Sequence, residues 1–185
     1  MNGAIIRDIL RVDHAGEHGA IRIYRAQIAA ARRIAPDIVP QLEEALADER
    51  RHCATFETAL RKRGERSCNL LSLWGVGGTV LGFSTALLGR EAILVCTEAV
   101  ERTVHRHMDE QVAWLASREA GLATVIGAIR EEEVAHLDRA GGARSGSSTT
   151  WLRALDRIVA AATELLVWVS TYGASSQLRG KLRNH

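Results

Sequence analysis

The sequence contains few prolines, few aromatic residues and little net charge. Its 185 residues include two prolines and 4% aromatic residues, whereas alanine, leucine, glutamate and arginine are abundant, which favours helices. The formal net charge is +2 because 24 basic residues nearly balance 22 acidic ones, and no strip of the sequence combines aromatic with basic side chains. This balance argues against a nucleic-acid partner.

Cysteine is also scarce, and no cleavable targeting segment is evident. The three cysteines are odd in number and widely spaced, which predicts reduced thiols in a cytosol-like compartment rather than a disulfide framework. Arg7 and Asp8 stand where a signal peptide needs its apolar stretch. Hydrophobic residues make up 46% of the chain and charged residues 25%, as in ordinary globular proteins. The length suits a single domain over residues 1–185.

Apolar residues recur at helical spacing through most of the chain. This pattern predicts an all-α fold with helices near residues 4–33, 36–63, 91–115, 119–140 and 151–171. The second helix is expected to end at Gly64, which follows three basic residues that suit the negative end of a helix dipole. A Gly/Ser/Thr loop is expected over residues 141–150, and the polar last dozen residues are expected to fray.

Two Glu-x-x-His pairs stand in similar surroundings. Glu49 and His52 form the first pair, and Glu133 and His136 form the second. On a helix, a glutamate and a histidine at this spacing lie on one face, so each pair can offer a carboxylate and an imidazole to the same ion. A further glutamate, Glu17, precedes the first pair, and another glutamate precedes the second pair by the same interval. The chain is therefore interpreted as two copies of one helix pair.

The glutamate that precedes the second pair is Glu101. The number of residues from Glu17 to Glu101 equals the number from Glu49 to Glu133. This sequence spacing is called the repeat interval below. All four glutamates share helix faces with apolar residues, so they are expected to face the core, where an unpaired charge costs several kcal/mol. Two divalent cations would balance four carboxylates.

The predicted ligand set is typical of metal-binding helical bundles. One glutamate from each of two helices and a Glu-x-x-His from each of two others is the ligand set of di-iron or di-manganese bundles. A Glu-x-x-His motif that occurs alone more often lies on a solvated helix face than at a metal site. Glu131 and Glu132 have no histidine at the required spacing, and they are placed on a solvated or outer face.

The chain resembles the demethoxyubiquinone hydroxylases, which are di-iron monooxygenases of ubiquinone biosynthesis. The resemblance covers roughly residues 10–171 and is densest in four strings: RVDHAGE at 11–17 with RIY at 22–24, TALLG at 85–89, AVE at 99–101, and the sequence from 130 to 136. It implies a ferritin-like four-helix bundle built from two tandem helix pairs, with an apolar segment between the pairs and a C-terminal helix.

The resemblance also implies a reaction and a set of site residues. The reaction is hydroxylation of a polyprenylated benzoquinone with O2, with two iron ions as cofactor and NADH as the electron source. The implied iron ligands are Glu17, Glu49, His52, Glu101, Glu133 and His136. His107 matches a family histidine that is thought to relay protons or electrons, and Tyr24 is included as a second candidate catalytic residue. Met108 stands where the family usually has tyrosine, and Trp168 replaces another tyrosine.

Residues 67–89 carry no charge and are long enough to span a membrane. A crossing would place Glu49 and Glu101 on opposite sides of the bilayer, so this segment is expected to fold back, to dock on the bundle or to lie in the interface. Its five glycines are expected to weaken a continuous helix. The alternative is ordinary core packing.

The resemblance implies a peripheral membrane protein that binds a polyprenyl quinone at the membrane surface. The surface is the cytoplasmic face of a bacterial membrane, or the matrix face of the inner membrane in a mitochondrion. The apolar mouth is expected to combine residues 67–89 with residues 158–169, and Leu73, Trp74 and Leu81 are expected to contact lipid. A lipid-binding protein or another protein of ubiquinone biosynthesis is a possible partner.

Two other functions are compatible with the same sequence. The metal site also suits a ferroxidase or a peroxidase of the ferritin or rubrerythrin kind, which needs no lipid-facing patch. A helical adaptor at a membrane complex is a third interpretation, and it predicts no bound iron.

Overall fold

A computed structural model describes residues 2–144 and 149–171 of the chain, and within these ranges every regular element is helical. The elements are α1 (Asn2–Ile34), a short 3₁₀ turn (Pro36–Ile38), α2 (Val39–Lys62), α3 (Leu71–Leu87), α4 (Arg90–Leu115), α5 (Ala120–Ala143) and α6 (Thr150–Ser170). The expectation of an all-α fold is confirmed. The predicted fraying of the last dozen residues lies outside the described ranges.

Four helices form the bundle, and two more cover one side of it. α1 packs along α2 and α4 packs along α5, while α3 lies on α1 and α6 lies on α4. This arrangement agrees with the predicted ferritin-like bundle. Residues one repeat interval beyond α3 fall almost entirely in α6, so in the described ranges the repeating unit contains three helices rather than the predicted helix pair.

The bundle core consists of two apolar clusters, one towards each end. One cluster joins the start of α1 to the ends of α2 and α4 and the start of α5, with Leu10, Phe56, Leu115 and Ile126 at its centre. The other joins the second half of α1 to the starts of α2 and α4, with Ile28, Ile38, Leu42 and Ile93 among its members. Glu17, Glu49, Glu101 and Glu133 therefore lie along their helices between the two apolar layers.

Gly64 ends α2 as the sequence predicts. Its φ of 69° is left-handed, a conformation that glycine adopts without a steric penalty. The Gly64 N–H donates to the carbonyl of Arg61 over 3.0 Å, and the Glu65 N–H donates to the carbonyl of Leu60 over 3.0 Å. These two hydrogen bonds form a Schellman motif, which satisfies carbonyls at the helix end.

The uncharged segment docks on the bundle as helix α3, and its glycines do not weaken this helix as expected. Gly78 lies so close to α1 that an added Cβ would be 2.4 Å from the carbonyl oxygen of Gly19. A Cβ at Gly82 would be 2.6 Å from the carbonyl oxygen of Ile23. Close packing of two backbones offsets the poor helix propensity of glycine. Within the described ranges, no helix is both long and apolar enough to cross a membrane.

Gly78→Ala should destabilise the chain because its methyl group meets the backbone of α1, which cannot move aside as a side chain can. The expected cost is about 1–3 kcal/mol, measured as a lower thermal midpoint. Gly77→Ala is the matched control, since its Cβ meets only the tip of Leu166, at 4.0 Å. The control should unfold at the same temperature or slightly higher. Equal midpoints for the two variants would contradict close packing of α3 on α1.

Candidate metal centre

The structure brings the six predicted ligands together in the middle of the bundle. Glu17 comes from α1, Glu49 and His52 from α2, Glu101 from α4, and Glu133 and His136 from α5, and each is at most 4% exposed. They form two overlapping groups, and within each group one potential ligand atom per residue lies within 4.8 Å of the others. The first group is Glu17, Glu49, His52 and Glu133, and the second is Glu49, Glu101, Glu133 and His136.

Glu49 and Glu133 belong to both groups and lie between them. Oε1 of Glu133 is 2.9 Å from Nδ1 of His52, and its Oε2 is 3.2 Å from Nδ1 of His136. Oε1 of Glu49 is 3.6 Å from Nδ1 of His136. Two carboxylates shared between two ligand groups have the arrangement that bridges a pair of ions.

The donor atoms of the centre fit divalent cations. Oε1 of Glu49, Nδ1 of His52 and Oε1 of Glu133 are buried and lack a partner with hydrogen-bond geometry. Buried polar atoms are ordinarily satisfied, so unpaired atoms that converge from different helices indicate a missing partner. Carboxylate oxygens and imidazole nitrogens without thiolate suit iron or manganese better than structural zinc. These buried groups could therefore hold a pair of metal ions.

Both histidines point Nδ1 at the carboxylates and pair Nε2 with an outer carboxylate. Nε2 of His52 lies 2.9 Å from Oε2 of Glu132, and Nε2 of His136 lies 3.0 Å from Oδ2 of Asp48. Arg51 forms ion pairs with both Asp48 and Glu132 and so connects the two sides. Carboxylates in this position fix the tautomer and the orientation of ligand histidines.

Sequence reasoning placed Glu132 on a solvated or outer face, and it missed Asp48. Glu132 is indeed partly exposed, but its carboxylate contacts His52. Asp48 precedes Glu49 just as Glu132 precedes Glu133, so the repeat interval also relates these two outer carboxylates. The repeat was therefore the signal that could have identified Asp48, because two halves that position equivalent histidines need equivalent outer carboxylates.

Burial and mutual repulsion raise the pKa of two of the carboxylates when no cation is near. Burial raises the pKa of Glu17 well above its usual value, and the charge of Glu49 raises it further. Burial likewise raises the pKa of Glu101, with Glu133 adding to the effect. Burial alone would also raise the pKa of Glu133, but contacts with His136 and His52 outweigh it and bring this pKa below the usual range. Metal binding to this centre must displace protons.

Tyr24 contacts one candidate ligand directly. Its hydroxyl donates a hydrogen bond to Oε1 of Glu101 over 2.5 Å, and both side chains are buried. Burial raises the pKa of the Tyr24 phenol well above its ordinary value, and the charge of Glu101 raises it further. The phenol therefore remains a donor at neutral pH. The residue that the repeat interval makes equivalent to Tyr24 in the other half is Met108.

A cleft leads from the centre to the side that α3 and α6 cover. It holds about 490 Å³, including its open mouth, and all four carboxylates of the centre line it. Its other described lining residues are mostly apolar and come from α1, α3, α4 and α6: Val12, Gly16, Ala20, Trp74, Val100, Val104, Met108 and Val167. His107, Asp13 and Gln111 add polar groups to its wall. Tyr24 is not among these lining residues.

His107 is buried in the cleft wall and contacts the charged residue that interrupts the apolar part of α6. Nε2 of His107 lies 3.2 Å from Oε2 of Glu164. Glu164 also forms an ion pair with Arg106. The single carboxylate in the apolar run of residues 158–169 is thus explained by its contacts with α4. The roles of His107 and Tyr24 in catalysis stay predictions.

The fold and the centre together define a class: helical-bundle proteins with a buried cluster of carboxylates and histidines that could hold metal ions. Comparison with known protein families then identifies the family within this class to which the chain belongs. Residues 4–170 match the family model described as ubiquinone biosynthesis protein COQ7. The chain belongs to this family, which confirms the resemblance found in the sequence.

Curated relatives carry consistent names. A 3-demethoxyubiquinol 3-hydroxylase from Rhodospirillum rubrum is 40% identical over 169 residues, which cover 90% of this chain and 78% of the relative. A mitochondrial NADPH-dependent 3-demethoxyubiquinone 3-hydroxylase from Rattus norvegicus is 37% identical over 142 residues, covering 75% of this chain and 64% of the relative. A mitochondrial 5-demethoxyubiquinone hydroxylase from Saccharomyces cerevisiae is 34% identical over 152 residues, covering 74% and 65%. The chain thus spans less than two thirds of the two mitochondrial relatives.

Glu133→Ala should abolish stoichiometric metal binding, because Glu133 belongs to both ligand groups and its loss leaves the other charges unbalanced. After reconstitution with Fe(II), elemental analysis should find about two ions per native chain and fewer than one per variant. Glu131→Ala is the matched control, since Glu131 lies nearby on α5 with a largely exposed side chain paired to Arg130. This control should keep both ions. Retention of two ions by Glu133→Ala would refute the ligand assignment.

Proposed function

We propose that this chain hydroxylates the ring of a polyprenylated benzoquinone with O2, at the demethoxyubiquinone step of ubiquinone biosynthesis. The observation that carries the proposal is the apolar cleft, which joins the four buried carboxylates to the side of the bundle covered by α3 and α6. A di-metal centre alone is common to many reactions. A mostly apolar path that ends at such a centre suits a ring substrate with a long apolar tail.

The proposed reaction balances with one two-electron donor. A ring C–H becomes C–OH, which takes one atom of O2, and the second atom leaves as water with two electrons and two protons. When bound, two iron ions held by the six ligands supply the activation of O2. NADH is the proposed source of the electrons.

The protein's own residues would bind the ions, exclude water and position groups around the ring. Glu49 and Glu133, which belong to both ligand groups, would hold the ions with the other four ligands, and Tyr24 would orient Glu101 through its hydrogen bond. The apolar cleft wall would keep bulk water from the reacting ring. His107 would pass a proton between the cleft and solvent, and this role is supported by its position in the cleft wall and its contact with the partly exposed Glu164.

The electron donor is proposed to bind at the bundle surface, because the sequence contains no glycine-rich dinucleotide loop. Met108 and Trp168 replace tyrosines that are usual in the family. Met108 is buried and lines the cleft, whereas Trp168 is about half exposed on α6. Neither residue belongs to the two candidate ligand groups. The substitutions therefore bear on electron delivery rather than on metal binding.

The outer faces of α3 and α6 support binding to a membrane surface. Both helices expose large apolar side chains: Leu73, Val76, Val80, Phe83 and Leu87 on α3, and Trp151, Ile158, Leu165 and Trp168 on α6. The two helices meet where the indole N–H of Trp74 donates to Ser170 over 2.8 Å. A large apolar face beside a cleft suits a protein that takes a polyprenyl quinone from a bilayer. Such a face also suits a lipid-binding or other protein partner.

The lipid contacts predicted from the sequence need a correction. Leu73 is exposed as expected, but Trp74 is buried and Leu81 packs partly against the bundle. The helical period of α3 turns these two residues towards α1 and α4. We place the protein at the cytoplasmic face of a bacterial membrane, or at the matrix face of the inner membrane if it is mitochondrial. Charge substitutions that test membrane binding belong on the outer face of α3.

The hydroxylase interpretation is tested by supplying the iron-loaded chain with NADH, 18O2 and a short-chain demethoxyubiquinone. Mass spectrometry should find a product with one labelled oxygen atom on the ring. Glu133→Ala should form almost none of this product, since it lacks the centre. Formation of ferric mineral or consumption of peroxide without ring product, by a chain that holds two irons, would instead favour a ferroxidase or a peroxidase.

Membrane binding is tested with Val76→Glu/Val80→Glu, which places two charges on the outer face of α3. The fraction bound to phosphatidylcholine vesicles should fall at least tenfold, because two apolar contacts with lipid are lost, at about 1.5–3 kcal/mol for each fully buried residue. Ile34→Glu/Val125→Glu is the matched control, as both residues are exposed on other helices. Iron content should stay at two ions in both variants. Equal vesicle binding by both would contradict the proposed face.

A further inference from the structure

A buried polar pair in the cleft wall has no part in the metal centre. The side-chain amide of Gln111 on α4 donates from Nε2 to Oδ1 of Asp13 on α1, over 2.7 Å. Asp13 is 9% exposed and Gln111 is 4% exposed. Asp13 precedes Glu17 by one helical turn, and Gln111 follows His107 by one turn, so the pair stands beside both the centre and the candidate relay histidine.

Each member of this pair has an oxygen atom without a partner. Oδ2 of Asp13 and Oε1 of Gln111 are both buried and neither has a hydrogen-bond partner. Both residues line the cleft, whose other walls are mostly apolar. Unpaired buried acceptors are costly, and two of them side by side in a substrate cleft indicate a ligand that brings hydrogen-bond donors.

The oxidised and reduced forms of the substrate ring differ in whether they can donate hydrogen bonds. A quinone carries carbonyl oxygens, which only accept hydrogen bonds, whereas the reduced quinol carries hydroxyl groups, which donate. The amide orientation of Gln111 is set by its donation to Asp13, so its free oxygen can only accept. We propose that Asp13 and Gln111 form a subsite that binds a ring hydroxyl of the quinol and thereby selects the reduced form of the substrate.

This inference rests on the proposed function because it takes the ring to bind in the cleft. The name of the Rhodospirillum rubrum relative already specifies a quinol, and this inference adds the two residues that select that form in this chain. Burial raises the pKa of Asp13 to about 7, with the hydrogen bond from Gln111 opposing the effect. A carboxyl group with a pKa in this range forms a strong hydrogen bond with a phenolic hydroxyl. The equivalent of Gln111 in the first half of the chain is Gln27, which bonds Thr85 and is absent from the described cleft lining.

The test measures the affinity of the full, metal-loaded chain for a water-soluble short-chain ubiquinol analogue and for its oxidised quinone. Equilibrium dialysis without O2 prevents turnover, and the two forms have nearly the same shape. Above about pH 8, where most of Asp13 is ionised because its pKa is about 7, the native chain should bind the quinol about tenfold more tightly than the quinone, as expected for a hydrogen bond to a charged acceptor. A native chain that binds both forms equally would overturn the inference.

Gln111→Met and Asp13→Asn should each reduce this preference to about twofold or less. Asp13→Asn can also replace the free acceptor by an N–H donor, so its affinity for the quinone should rise. Gln27→Met is the matched control, because it removes the same group at the equivalent buried position, and it should keep the tenfold preference. A purely structural role of the pair would lower the thermal midpoint and leave the preference intact, which would also overturn the inference.

The outcomes separate this inference from the proposed function. A chain that incorporates labelled oxygen into the ring but shows no preference refutes the subsite alone. A chain that binds neither form of the ring and forms no product refutes both. If Asp13→Asn does not fold, Gln111→Met decides the question, since methionine is similar in length to glutamine and α4 keeps a good helix former at this position.

Discussion

Four carboxylates in the interior of a helical bundle are the constraint on which the rest of this structure depends. Glu17, Glu49, Glu101 and Glu133 are each at most 4% exposed, and burying unpaired charges is costly. Without cations, burial and the neighbouring carboxylates raise the pKa of Glu17 and Glu101, and Glu133 lies between two imidazoles. With divalent ions, the same groups are compensated. The apolar clusters at the two ends of the bundle tolerate such a centre because it lies between them.

The internal repeat gives the centre two similar halves. The residues around the centre differ between these halves, and the cleft lies on one side of the centre. Each half contributes a lone glutamate, a Glu-x-x-His pair and an outer carboxylate, all related by the repeat interval. Tyr24 in the first half donates a hydrogen bond to Glu101, whereas its equivalent in the second half, Met108, lines the cleft. Likewise Gln27 is bonded to Thr85, whereas its equivalent Gln111 reaches the cleft wall. Substitution at equivalent positions thus gives the two halves different contacts around the centre.

Much of the architecture was predictable because helix periodicity and the repeat are local signals. The ends of α1 at Ile34 and of α2 at Lys62 lie next to their predicted positions. The expectation that glycine would weaken residues 67–89 was wrong, because helix propensity is a property of an isolated helix and Gly78 packs against the backbone of α1. Asp48 was missed because an acidic residue on α2 gains its role only from His136, which is distant in sequence.

The order of residues along the chain was enough to predict five of the six α-helices in the described ranges, the family and the six candidate ligands, since spacing on a helix decides which side chains share a face. How those faces meet depended on the packing of distant segments. Tertiary contacts placed α3 on α1 and α6 on α4, opened the cleft between them, and turned Trp74 inwards while Val80 faces outwards. They also paired Asp13 with Gln111, because a hydrogen bond between residues so far apart in the chain exists only when two helices are packed side by side.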